Sequence, residues 1–239
     1  MGPSFNTIEL KMMNKSLSLN VCLLLIAGSL VWGCGPKPNP KFISEGIIEY
    51  KATPMNPENA MASIAPSKMI VRFKENYTVA EMSAGAGLFG TSFISDPNKK
   101  QFINLVKMFG DKSAVRYDSV AVNKDVDADP KPIIEKLKDV KMIAGYSCNH
   151  ARISYADKSN KGFDIWYTTE INIKNPNWTN PFHEIDGVLM EYQLKRYGLE
   201  LRFKCTSVIK ATIDDEVFQL PKDYKLISPK EMGVKFEGF

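Results

Sequence analysis

Leu199-Glu200-Leu201-Arg202-Phe203-Lys204-Cys205-Thr206 alternates apolar and polar side chains without a break. Successive side chains of a strand point to opposite faces, so this is a strand with one dry face and one wet face. The preceding stretch repeats the rule: Val188, Met190, Tyr192 and Leu194 alternate with Glu191, Gln193 and Lys195, and Tyr197-Gly198 stands between the two as a turn. The pair reads as an antiparallel hairpin that must bury one face.

Outward from that hairpin the chain keeps the same texture. Strands are expected over 43–52, Lys68–Lys74, 77–82, 89–95, Gln101–Met108, 113–122, 143–155 and 163–169. Glu75-Asn76 and Asp96-Pro97-Asn98-Lys99-Lys100 supply turn chemistry, because proline fixes φ and asparagine tolerates the left-handed region. The stretch 133–140 fits helix or strand, and strand is preferred because it leads directly into the next hairpin. Residues 125–132 read as a loop, and 57–65 as two turns of helix with proline in the first turn. On 143–155, Tyr146, Cys148, His150 and Arg152 share one face and Ser147, Asn149, Ala151 and Ile153 the other, neither cleanly apolar. So many short strands with so little helix to cover them predict a mainly β fold. The expected form is an antiparallel meander curled into an open or half β-barrel with short helical lid segments, one domain over 43–239.

The N-terminal stretch speaks of compartment. Lys11 and Lys15 precede an apolar run from Leu17 to Trp32, interrupted by Ser18, Asn20 and Ser29, and too short to span a ~30 Å hydrocarbon core. That is the layout of a secretory signal peptide over 1–33, with a true start at Met12 or Met13 as an option. Val31-Trp32-Gly33-Cys34 resembles the lipobox of bacterial lipoproteins, which implies a lipid on Cys34; the rival readings are an uncleaved anchor or a plain signal peptide. Gly35-Pro36-Lys37-Pro38-Asn39-Pro40 places proline at every second position and reads as an extended stalk over 34–42, reaching roughly 20 Å. By resemblance to sorting rules, Gly35 after Cys34 and the lack of an acidic run imply an outer-membrane lipoprotein facing the periplasm. The expected partners are therefore the membrane, through the lipid, and a hydrophobic ligand or an envelope protein.

Three segments carry a further likeness: Gly145-Tyr146-Ser147-Cys148-Asn149-His150-Ala151, Asp164-Ile165-Trp166-Tyr167-Thr168 and Asp186-Gly187-Val188-Leu189-Met190-Glu191-Tyr192. They resemble an uncharacterised family of Bacteroidota envelope lipoproteins related to the GLPGLI type, with Ile185-Asp186-Gly187 standing where that signature has Gly-Leu-Pro-Gly. More distantly the layout is similar to LolA/LolB-type lipoprotein carriers, which implies an open β-barrel and no catalysis.

Composition and motifs exclude several function classes. A net charge of +4 on 239 residues, dispersed along the chain, gives no basis for nucleic-acid binding. The two histidines, His150 and His183, have no partners at metal-ligand spacing, so no metal or cofactor is expected. Ser83-Ala84-Gly85-Ala86-Gly87 has its serine in the wrong place for a nucleophile elbow, and Asp214-Asp215-Glu216 reads as a solvated turn. The chain is therefore not expected to be an enzyme. Cys148 and Cys205 are left as candidates for a disulfide that would close a loop of about 60 residues, worth roughly 4 kcal/mol; two unpaired buried thiols are preferred.

Binding is the stronger expectation. Thirteen Phe, nine Tyr, eleven Met and three Trp give wide, adaptable apolar surface. Met61, Met69, Val71, Phe73, Met82, Phe93, Leu201 and Phe203 are the side chains expected on the dry concave face, where they either line a ligand cavity or fill an ordinary core. The alternative to a hydrophobic-ligand binder is an interaction module whose rim is the loop 172–186, with Trp178, Phe182 and His183 exposed.

Overall fold

The computed structural model describes residues 41–128, 130–157, 161–196 and 199–237. The expected signal peptide over 1–33, Cys34 and the expected stalk up to residue 40 lie outside the described residues, as do the expected turn at Tyr197-Gly198 and the side chain of Met61. The chain divides into two units, Met1–Pro38 and Asn39–Phe239, and the described residues belong to the second.

Twelve strands form one sheet. In chain order they are β1 (Glu45–Pro54), β2 (Lys68–Lys74), β3 (Tyr77–Ala84), β4 (Phe89–Asp96), β5 (Gln101–Met108) and β6 (Asp111–Tyr117), then β7 (Ile133–Ile143), β8 (Tyr146–Ser154), β9 (Phe163–Thr168), β10 (Val188–Arg196), β11 (Leu199–Lys210) and β12 (Lys225–Leu226). Among the described residues two short helices accompany them, α1 (Ser119–Ala128) and α2 (Pro229–Glu237). The spatial order is β12-β6-β5-β4-β3-β2-β1-β11-β10-β9-β8-β7, every pairing being antiparallel except β12 with β6. The sheet is thus two meanders, β1 to β6 and β7 to β11, joined where β1 pairs with β11.

This order forces the sheet to curl. From β6 to β7 lie ten strand spacings, about 48 Å if flat. The chain crosses between them with α1, about 15 Å long, and a handful of extended residues adding roughly 20 Å. A flat sheet is out of reach, so its two ends bend toward each other. Among the described residues no strand pair closes β7 onto β6 or β12, and the barrel stays open.

Alternation decides which face is lined by what. On β3, Thr78, Ala80 and Met82 turn to the concave side. Val79 turns outward, where Ile94, Ile103, Leu105 and Ala114 join it under Val217, Phe218, Leu220 and Tyr224 of the C-terminal segment. On the concave side Ile48, Tyr50, Met69, Phe73, Leu201, Phe203 and Val208 form the main core with Ile171 and Ile173. Ala151, Ile153, Ile165 and Tyr167 pack with Phe182, Ile185 and Leu189 and reach Tyr192 and Leu194. Met232 of α2 covers Val106 and Val115.

Four local expectations are corrected. The strand over 113–122 ends at Tyr117, and α1 begins because the Asp118 carboxylate accepts the Ala121 N–H at 2.9 Å. That cap outweighs the strand preference of the valines that follow: Val122 is buried and Val120 is 75% exposed. The loop over 125–132 is helical as far as Ala128. The strand over 143–155 is broken at Ala144 (φ 49°) and Gly145 (φ 82°), a two-residue turn joining β7 to β8. The stretch 57–65 forms only a short 3₁₀ turn, Ala60–Ile64.

Candidate functional site

The concave face is not filled. A cavity of about 590 Å³ lies against β1 to β5, β10 and β11, closed at one end by the loop after β9. Its volume is in the range of small-molecule sites. Met69, Val71, Met82, Phe93, Leu201 and Phe203 all line it. Phe73 does not: it is fully buried beside Gly46, its Cε1 3.3 Å from where a side chain there would begin. It belongs to the solid core at the closed end of the cavity. The remaining walls come from residues that sequence reading did not single out, among them Tyr50, Ala80, Thr91, Tyr192 and Leu194. For Tyr192 and Leu194 the alternation of β10 carried the signal.

Five polar side chains of these walls are engaged within the protein. Tyr50 Oη donates to the Leu189 carbonyl at 2.9 Å, and burial pushes that phenol well above its usual value. Tyr192, on the cavity wall, is raised by burial too. Thr91 Oγ1 donates to Asn104 Oδ1 at 3.3 Å, and Ser95 Oγ accepts Trp178 Nε1–H at 2.7 Å. Asn177 Nδ2 donates to the Ile185 and Gly187 carbonyls at 2.8 and 2.9 Å, and Asn180 Oδ1 accepts the Phe182 N–H at 2.9 Å. Walls satisfied in this way offer shape and apolar surface rather than hydrogen-bond readout.

The loop 172–186 is corrected as an exposed rim. Phe182 is 2% exposed and stands edge-on to Phe163, and Trp178 is tied down by Ser95. Only His183 of the three is exposed. The reason is the length of the loop: a closure this long over an open barrel end has to turn its apolar side chains inward.

The outer face of the second meander carries a polar cluster that sequence reading missed. His150 stacks on Trp166 with centroids 4.2 Å apart, its Nδ1 at 3.1 Å from Asp139 and its Nε2 at 2.9 Å from Asp164. Lys141 lies 4.2 Å over the same Trp166 ring and reaches Glu191 at 2.7 Å, and Arg202 also pairs with Glu191. The mixed face read on β8 thus resolves into Tyr146 and Cys148 in the core and His150 and Arg152 in this cluster. Among the described residues no group of three His, Cys, Asp or Glu is placed to hold a metal.

Glu191 is 3% exposed. Burial alone would raise its carboxyl, but the hydrogen bonds from Lys141 and Arg202 outweigh it and hold the group below the ordinary 4.5. A depressed carboxylate contributes stability that is complete above about pH 4.5 and is lost as the pH falls through the folded value. Glu191→Gln is expected to cost about 2 kcal/mol at pH 7. In urea unfolding across pH 3–7 the gap to the parent should narrow below pH 4.5; a gap that stays constant would contradict the pairing.

Of the two outcomes expected for the cysteines, the structure has the free thiols: Cys148 and Cys205 are unbridged and buried in the main core. Their Sγ atoms donate weakly to the Tyr146 and Ser207 carbonyls at 3.4 and 3.6 Å. Burial pushes the thiols up to about 11 and about 12. At neutral pH neither is a thiolate, so both should resist iodoacetamide in the native protein and react on unfolding, as read by peptide mapping. Fast native labelling of either would contradict their burial.

No protein-family model matches the chain, and no curated protein matches it. Among solved structures, PNGF-II in a C2 crystal form superposes with a TM-score of 0.51 at 14% identity, over 81% of this chain and 32% of that one. PNGF-II in a P21 form gives 0.49 at 15% identity, over 81% and 33%. The chain spans about a third of the length of those proteins, and at such identity the likeness is one of fold: a mainly β chain whose open sheet resembles part of PNGF-II.

Proposed function

We propose that this domain holds a hydrophobic ligand, an acyl chain, lipid or lipidated protein, in its concave cavity without catalysing a reaction. The observation that carries the reading is a largely apolar cavity in which five of the polar side chains on the wall are already paired with the protein itself. Such a site suits a chain-like apolar guest recognised by shape. We place the protein in the bacterial envelope, as an outer-membrane lipoprotein facing the periplasm and held by lipid on Cys34. The sequence around Cys34 supports that anchor, and metabolic labelling with palmitate, lost on Cys34→Ser, tests it. The interaction-module alternative is weakened by the burial of Phe182 and the tie on Trp178.

Titration with a fluorescent fatty acid tests the cavity. Saturable uptake near one equivalent, competed by unlabelled fatty acid, is expected. Emission that rises linearly without saturation would count against a built site.

A further inference from the structure

Four large apolar side chains stand out from the same end of the barrel. Met55 follows β1 and is 40% exposed; Ile64, in the 3₁₀ turn before β2, is 39%; Leu88, between β3 and β4, is 51%; Phe109, between β5 and β6, is 62%. The antiparallel order brings these three connections to one end of the sheet, within about four strand spacings, roughly 20 Å. Ile64 itself lines the cavity, and so do Phe89 and Met108, the neighbours of Leu88 and Phe109. The protruding side chains therefore flank the end of the cavity opposite the loop after β9.

The local backbone holds them out. Phe109 sits at φ 49°, a left-handed conformation unusual for a bulky residue, with Gly110 at 93° completing the turn. An asparagine or glycine would suit that position better by backbone criteria alone. The Phe109 N–H donates to the Leu88 carbonyl at 2.9 Å, and Phe89 packs edge-on to the Phe109 ring at 4.7 Å. Two of the tips are thus fixed to each other rather than loose.

We propose that this rim seats in the surface of a lipid bilayer, so that the cavity opens onto the membrane from which its guest comes. Area speaks against a protein partner: at about 200 Å² per large side chain, the exposed parts sum to roughly 400 Å². A stable protein interface takes about 800 Å² from each side. Separate tips on turns also fit into an interfacial region better than into a flat complementary surface. Lys51, Lys107 and Lys195 lie at the same strand ends without an ion pair among the described residues, against the carboxylates Glu58 and Glu200. The ion pairs Asp111–Lys235, Glu49–Lys68 and Asp223–Lys112 at that end add no net charge. That balance favours anionic headgroups modestly. The docking stands on the rim alone; only the exchange of a guest through it rests on the ligand-binding reading.

The test uses the full chain with Cys22 and Cys34 replaced by serine and an NBD label on Phe109→Cys or Leu88→Cys. Lys210→Cys, at the other end of the sheet, serves as the control. Buried Cys148 and Cys205 stay unlabelled in the folded protein. On phosphatidylcholine–phosphatidylglycerol vesicles carrying brominated acyl chains, the rim labels should shift to the blue and be quenched, and the control should not. Equal behaviour at both ends, or no quenching at the rim, overturns the proposal. Fatty-acid uptake measured without vesicles separates the two readings. Uptake with an unquenched rim sinks the docking and leaves the cavity; a quenched rim without uptake does the reverse.

Discussion

Replacing Ala80 by tryptophan is expected to lower the affinity for a fluorescent fatty acid by more than about tenfold, or 1.4 kcal/mol, while the protein stays folded. Ala80 sits mid-strand on β3, in register with Val71 on one side and Phe93 on the other. All three line the cavity. An indole there has empty space to enter, so the penalty of about 1–3 kcal/mol for overpacking a filled core does not apply in full. The thermal midpoint should stay within a few degrees of the parent. A large drop in midpoint with unchanged uptake would mean that the space at Ala80 is not the guest's.

Gly46→Ala is expected to damage the fold at the seam between its two meanders. A β-carbon at Gly46 would lie 2.4 Å from the Ile209 carbonyl oxygen and 3.3 Å from Phe73 Cε1. The first contact is backbone and cannot rotate away, so β1 and β11 must part. Their pairing, from Gly46 with Lys210 to Pro54 with Leu201, is what joins the two meanders. A loss of about 3 kcal/mol is expected, lowering the thermal midpoint by roughly 6–12 °C. Calorimetry reads this directly, and a change under 1 °C would show that the seam tolerates a side chain.

The strands legible in the sequence were those whose alternation was uninterrupted and whose turns carried chemistry. Lys68–Lys74 and Gln101–Met108 are bounded as their patterns predict. The Glu75-Asn76 turn likewise falls between β2 and β3. What pattern could not give was whatever depends on competition between local signals. The Asp118 cap overrode two valines, and the turn at Ala144-Gly145 was hidden because alanine rarely signals a positive φ. The C-terminal helix was announced by Ser228-Pro229-Lys230-Glu231, in which Ser228 and Glu231 cap each other. That spacing has a mechanism and could have been read.

The site was half legible for a related reason. Period two assigns a residue to a face but not to a height along the barrel. Phe73 and Met69 share a face, yet one is packed over Gly46 and the other borders open space. The loop after β9 looked exposed because it is long and rich in Asn and Pro. Its aromatic residues turn inward because an open barrel end has to be closed by something. The His150–Trp166–Glu191 cluster escaped notice because its members come from five strands, β7 to β11, whose register no single stretch encodes.

The central claim is that the concave face is built to stay vacant for a guest. Native mass spectrometry of the full chain purified from a bacterial envelope tests it most directly. The account predicts an added apolar mass on the folded protein that is released on denaturation and diminished in Ala80→Trp, whereas a covalent lipid on Cys34 would persist through unfolding. A folded protein carrying no releasable mass, and acquiring none when offered fatty acid, would contradict it.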